Sequence, residues 1–120
     1  MTNQRKLLYW EGSSKKDFKD FPIGVQKDMG VALFVVQLGG MPNSAKPWKG
    51  LGPGVYELVE DHRGDAFRAV YSVRIGDAVH VLHAFQKKSK SGIATPQPDV
   101  DLIEKRLKSV LARYGAGGRT

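Results

Sequence analysis

The chain carries HAFQKKSK at His83–Lys90, which places a histidine, an aromatic ring and three lysines close together. Histidine titrates near neutrality, so His83 can take or give a proton. Crowded ammonium groups depress one another's pKa, which lets one of Lys87, Lys88 and Lys90 move a proton as well. Phe85 beside them offers a face on which an unpaired base can stack. Two further basic pairs stand upstream, Arg68 with Arg74 and Lys46 with Lys49. Arginine grips phosphate through a planar, two-pronged fork, and lysine adds a compact positive charge. Together these types match what cleavage of RNA by its own 2′-hydroxyl requires. That reaction needs a base for the hydroxyl proton, cations on the phosphate oxygens and a proton for the leaving 5′ oxygen. Catalytic candidates are Arg68, His83, Lys87 and Lys88; RNA-binding candidates are Lys46, Lys49, Arg74, Phe85 and Lys90. Each has a plainer role too. His83 and Phe85 suit a packed core, the lysines a solvated loop, the arginines a wetted sheet face, and Trp48 the cover of a core edge.

Other chemistries find little support. His62, His80 and His83 lack the spacing of a helical zinc site, and simple strand alternation sends His80 and His83 to opposite faces, so neither a metal nor a cofactor is expected. No GxSxG is present, and the glycines at 50, 52 and 54 lack the lysine-serine ending of a phosphate loop. The chain has no cysteine, which removes disulfides and thiolate catalysis and suits a reducing cytoplasm.

The elements that must position these residues follow from pattern. KLLYW (Lys6–Trp10) reads as a first strand, and Ser13 or Ser14 caps a helix over SKKDFKDF. After Pro22, Val25, Met29, Leu33 and Val36 recur at helical spacing up to Gly39 and Gly40. Met41–Gly54, rich in proline and glycine, reads as a loop. Val55–Glu60, Ala66–Ile75 and Ala78–Gln86 then form an antiparallel meander, turning at Asp61–Asp65 and at Gly76 and Asp77. In the middle strand Phe67, Ala69, Tyr71 and Val73 share one face, and Arg68, Val70, Ser72 and Arg74 the other. In the last strand Val79, Val81, His83, Phe85 and Lys87 share a parity, and strand register decides which face they join. Thr95 and Pro96 open a final helix with an apolar stripe of Val100, Ile103, Leu107, Val110 and Tyr114, ended by Gly115. The expected fold is α+β in the order β-α-α-β-β-β-α, one domain over residues 1–114 with a flexible tail over 115–120.

With 120 residues and a net charge of +7, the chain suits a single basic domain that meets a polyanion or an acidic partner. Residues 84–98 contain no acid at all. No secretory leader pattern stands at Met1–Lys6, and Val31–Val36 is too short an apolar run to span a bilayer, so a cytoplasmic protein without a membrane partner is expected.

Taken in order, these segments resemble the RelE/ParE toxin superfamily, and within it the phage-derived, HigB-like toxins of type II toxin–antitoxin pairs. The likeness runs from about Lys6 to Tyr114. It rests on FRAVYSVR (Phe67–Arg74), on VHVLHAFQKKSKSGIATP (Val79–Pro96) followed by a helix with Asp101 and Arg106, on LYWEGSSKKDFKDFP, and on the QLGG…AKPWKGLG loop. The resemblance implies a RelE-like fold and a ribosome-dependent mRNA interferase that cuts through the 2′-hydroxyl without metal. By position, the strand arginine of the family falls on Arg68, the basic residues closing the last strand on Lys87 and Lys88, and the loop lysines on Lys46 and Lys49; His83 matches the HxF position. It also implies a helix-turn-helix antitoxin, with the ribosome and mRNA as further partners and DNA reached only through the antitoxin. Two alternatives stand beside it: a ParE-like inhibitor of DNA gyrase, and a basic module that has lost nuclease activity and acts with its antitoxin.

Overall fold

A computed structural model describes residues 5–87 and 95–118. The elements are β1 (Leu7–Trp10), α1 (Ser14–Lys19), α2 (Ile23–Gln37), β2 (Ala45–Pro47), β3 (Val55–His62), β4 (Asp65–Ile75), β5 (Ala78–Lys87) and α3 (Gln97–Gly118). Among the described residues the five strands form one sheet in the order β1-β5-β4-β3-β2. β1 runs parallel to β5 and the other pairs are antiparallel. The fold is α+β as expected, with one strand added.

That strand, β2, lies in the segment expected to be a loop. Ala45, Lys46 and Pro47 pair with Leu58, Glu57 and Tyr56. Three residues are too few to show alternation, and Pro47, which lacks an N–H, is tolerated because β2 is a sheet edge. The meander turns are as read: Arg63 and Gly64 (φ 52° and 87°) and Gly76 and Asp77 (φ 63° and 52°) form two-residue turns whose left-handed backbone matches strand twist. Helix α3 differs at its end, continuing past Gly115 to Gly118.

The sheet is covered on both sides. Val25, Met29, Leu33 and Val36 of α2 are buried with Phe18 of α1 against Phe67, Ala69 and Tyr71 of β4 and Val79 and Val81 of β5. On the other side Ile103, Leu107 and Val110 of α3 pack on Val55, Val70, Leu82 and Phe85. β4 therefore alternates as its sequence indicates, but the face carrying Arg68 is roofed by α3 and not open.

β5 does not keep one parity. Val70 pairs with His83, yet Tyr71 pairs with Val81, so Leu82 is an extra residue in β5, a β-bulge. The bulge swaps faces within the strand. Val79 and Val81 lie under α1 and α2, whereas Leu82 and Phe85 belong to the α3 side, and His83 pairs across from Val70 there. The expected grouping of Val79, Val81, His83, Phe85 and Lys87 is thus corrected. So is the separation of His80 from His83, since His80 pairs with Ser72 and reaches Tyr114 of α3. The Arg106 guanidinium donates to the Leu82 carbonyl at 2.8 Å, satisfying a group that β1, which ends opposite Val81, does not reach.

Candidate nucleic-acid interface

Strand register brings most of the candidate residues onto the α3 side of the sheet. Lys46 of β2 lies opposite Glu57 of β3, Arg68 of β4 opposite Phe85 of β5, and Ala66 opposite Lys87. Two carboxylates join them. The Arg68 guanidinium donates to Glu57 Oε1, with both side chains largely buried at 16% and 13% exposure. Arg68 Nε is buried and has no partner among the described residues.

His83 Nε2 stands 2.8 Å from Asp99 Oδ1 in the first turn of α3. With the carboxylate accepting, Nε2 carries the hydrogen and Nδ1 keeps its lone pair. Nδ1 is buried and has no partner among the described residues. A ring held in one tautomer by a carboxylate, with the opposite nitrogen unprotonated, is what a general base needs. The His83 ring also stacks on Phe85, centroids 4.7 Å apart at 17°. Phe85 is itself buried and part of the core under α3. The expectation that Phe85 offers an open stacking face is corrected: His83 and α3 already cover it.

Beside this group a cleft of about 780 Å³ opens between β2, β3 and the start of α3, lined by Lys46, Trp48, Lys49, Glu57, Gln97 and Val100 among others. Lys46 and Lys49 are exposed, and Trp48 is half-buried. Around the free edge of β5, a hollow of about 310 Å³ that also touches His83 is lined by Asp17 and Asp20. Those acids repel a polyanion, so one is better met on the α3 side, at the cleft that α3 leaves uncovered. Arg74 does not join the cluster. It lies six residues from Arg68 along β4, about 20 Å at the usual strand rise, exposed and packed beside Gly54. Lys88 and Lys90 lie outside the described residues.

One polar group escaped the sequence reading. Glu11, at the β1–α1 junction, accepts from His80 Nδ1 at 2.9 Å and from Arg113 at 2.8 Å, and His80 Nε2 takes the Tyr114 hydroxyl at 3.2 Å. Tyr9 stacks on the far side of His80, centroids 5.3 Å apart. The bulge hid the arrangement, because unbroken alternation says nothing about which face His80 shares with α3. Burial raises the Glu11 carboxyl, but the His80 and Arg113 hydrogen bonds and the Arg113 charge outweigh it, and the group titrates below its usual 4.5. A carboxylate depressed in the folded state stabilises above its unfolded pKa, and that stability is lost as pH falls through the folded value. Wild type should therefore lose stability below about pH 4.5 more steeply than Glu11→Gln, whose melting temperature should be lower at neutral pH and less acid-dependent. Parallel acid limbs in thermal melts of the two proteins would contradict this. Glu60 moves the opposite way, raised by burial and by Asp28, and is common to both proteins.

A family profile described as phage-derived protein Gp49-like (DUF891) matches residues 16–108, well over half of the chain. The chain belongs to the Gp49-like family. The matched span of this Gp49-like protein includes Lys46, Glu57, Arg68, His83, Lys87 and Asp99, and leaves out Glu11, Arg113 and Tyr114. Among solved structures, a chain of the toxin–antitoxin complex RelBE2 from Mycobacterium tuberculosis is similar to it at 18% identity and a TM-score of 0.45, over 73% of the Gp49-like chain and 98% of the other. No curated protein matches it significantly. Among the described residues no three histidine, aspartate or glutamate side chains gather as metal ligands, and no helix is long and apolar enough to cross a membrane.

Proposed function

We propose that this Gp49-like protein is the toxin of a type II toxin–antitoxin pair and cleaves mRNA on the ribosome through the ribose 2′-hydroxyl, partnered by a helix-turn-helix antitoxin in the cytoplasm. The observation that carries the reading is the register of β4 and β5, which puts Arg68, His83 and Lys87 on one face beside a cleft edged by Lys46 and Lys49. In this scheme the His83 ring, whose Nδ1 is buried in the free protein, turns toward the bound RNA while Asp99 holds the Nε2 hydrogen, and the Nδ1 lone pair draws the proton from the 2′-hydroxyl. Arg68 exchanges Glu57 for the scissile phosphate and holds the charge that builds on its oxygens. Lys87 is the ammonium nearest the end of the strand and supplies a proton to the leaving 5′ oxygen, Lys88 adding to the field. Lys46 and Lys49 hold flanking phosphates, which fix position without reading sequence.

A second reading has its own observation. Glu57 already neutralises Arg68 and Asp99 already holds His83, an arrangement equally suited to a basic module that binds and does no chemistry. Primer extension on mRNA in a translating extract separates the two. Wild type should give codon-phased cuts, and Lys87→Ala should reduce them by about 100-fold, the usual contribution of a positioned proton donor. Intact mRNA with the wild-type protein would sink the nuclease reading, and arrest of gyrase supercoiling in the same extract would replace it with gyrase inhibition.

A further inference from the structure

The cleft beside the Arg68 cluster is built for something other than phosphate. Its volume of about 780 Å³ falls within the usual range of small-molecule sites, roughly 300–1,000 Å³. Its lining is mainly apolar, with the Trp48 indole and Val100 among its walls, and Glu57 and Gln97 face it as polar groups. Glu57 Oε1 accepts from Arg68, while its second oxygen makes no hydrogen bond among the described residues. A carboxylate oxygen repels phosphate but accepts from N–H groups. Lys46 and Lys49, both exposed, lie where they can meet phosphates on either side.

An unpaired nucleobase has the complementary form, a flat face for the indole and an edge of donors and acceptors for the carboxylate. We infer that the cleft is a nucleobase subsite in which Trp48 stacks on one base of the mRNA and Glu57, assisted by Gln97, selects bases bearing an exocyclic amino group over uracil. Adenine, cytosine and guanine each present an amino hydrogen that Glu57 can accept. Uracil offers a single N–H flanked by two carbonyl oxygens, which the carboxylate repels. The inference deepens the nuclease reading and rests on it, since it names which bases such an enzyme would favour at one position of the codon.

The test uses 2′-O-methylated hexamers of A, C and U, which cannot be cut, and follows tryptophan fluorescence of the full-length protein without ribosomes. A and C hexamers should quench saturably and bind at least about fivefold tighter than U, the lower end of what one good hydrogen-bonded base contact discriminates. Trp48→Leu should abolish the quench, leaving the signal of Trp10, which packs on Phe18 in the other core. Glu57→Gln keeps an acceptor for Arg68 and should bring the A and U affinities to within about twofold, having lost the carboxylate charge. A thermal melt of each variant checks that it is folded. Equal binding of all three hexamers by wild type, or undiminished selectivity in Glu57→Gln, overturns the subsite. Primer extension keeps the two ideas apart. Cleavage without base selectivity removes the subsite and leaves the nuclease, whereas selective binding without cleavage removes the nuclease and leaves the subsite.

Discussion

Arg68→Ala should lower ribosome-dependent mRNA cleavage by about 100- to 1,000-fold, the usual loss when a preorganised partner of the developing oxyanion is removed. The same substitution should destabilise the free protein by about 3 kcal/mol, because Glu57 is left largely buried without its counter-charge. The two effects have different origins and can be separated. In Glu57→Gln the uncompensated charge is gone, so Arg68→Ala placed on that background should cost much less stability while cleavage stays low. Arg68→Lys makes the complementary probe. It keeps the positive charge and most of the fold, but loses the planar fork, and its cleavage should stay well below wild type. Urea denaturation read beside primer extension supplies both numbers. An Arg68→Ala protein that cuts mRNA at the wild-type rate would remove Arg68 from the chemistry, whatever its effect on folding.

Gly76→Ala should be among the most destabilising single-methyl additions in the chain. A Cβ at Gly76 would overlap Tyr114 Cε1 and Cζ, and the backbone there has φ of +63°. Overpacking of this kind costs about 1–3 kcal/mol, and the left-handed conformation adds roughly 1–2 kcal/mol for a residue with a Cβ. Together they correspond to a fall in melting temperature of at least about 8 °C for a domain of this size. Relief requires the Tyr114 ring to swing away, which breaks its hydrogen bond to His80. In the double variant Gly76→Ala, Tyr114→Ala the clash has no partner, so its destabilisation should fall short of the sum of the two singles by about 1–2 kcal/mol. A Gly76→Ala protein melting within a degree or two of wild type would show that the end of α3 does not pack on this turn in solution.

Much of the architecture is legible in the residues because the signals are local. The turns at Arg63 and Gly64 and at Gly76 and Asp77 declare themselves by residue type, and the alternation of β4 correctly divides Phe67, Ala69 and Tyr71 from Arg68 and Val70. The buried stripe of α2 is equally plain, although Ile23, Val31, Phe34 and Leu38 make its outer side apolar as well. What stayed hidden depends on contacts between distant segments. The carboxylates that hold Arg68 and His83 come from β3 and α3, and nothing in the local pattern of either marks Glu57 or Asp99 as a partner. Phe85 suggests a stacking platform by its place among lysines, yet α3 covers it, while Trp48, set down as the cover of a core edge, also faces the cleft. Arg74 lies beyond the second irregularity of β4, so parity counted from Arg68 fixes neither its face nor its separation along the strand.

The extra residue at Leu82 also bears on how such a chain can change over time. Pairing is offset by one residue between Val70 and Tyr71 and is restored before Ile75 meets Ala78, so two opposite offsets cancel within a single hairpin. The Gly76 turn and the His83 end of the strand are therefore set in independent phase. Were Leu82 drawn into the ladder opposite Val70, the alternation would turn His83, Phe85 and Lys87 toward α1 and α2 and carry Ala84 and Gln86 to the other side, without replacing any of them. A change of pairing at the bulge, more than a change of side chain, is then the efficient way for a relative to silence or relocate this chemistry while keeping its hairpin. A comparison of relatives that scores only residue identity would pass over such an event.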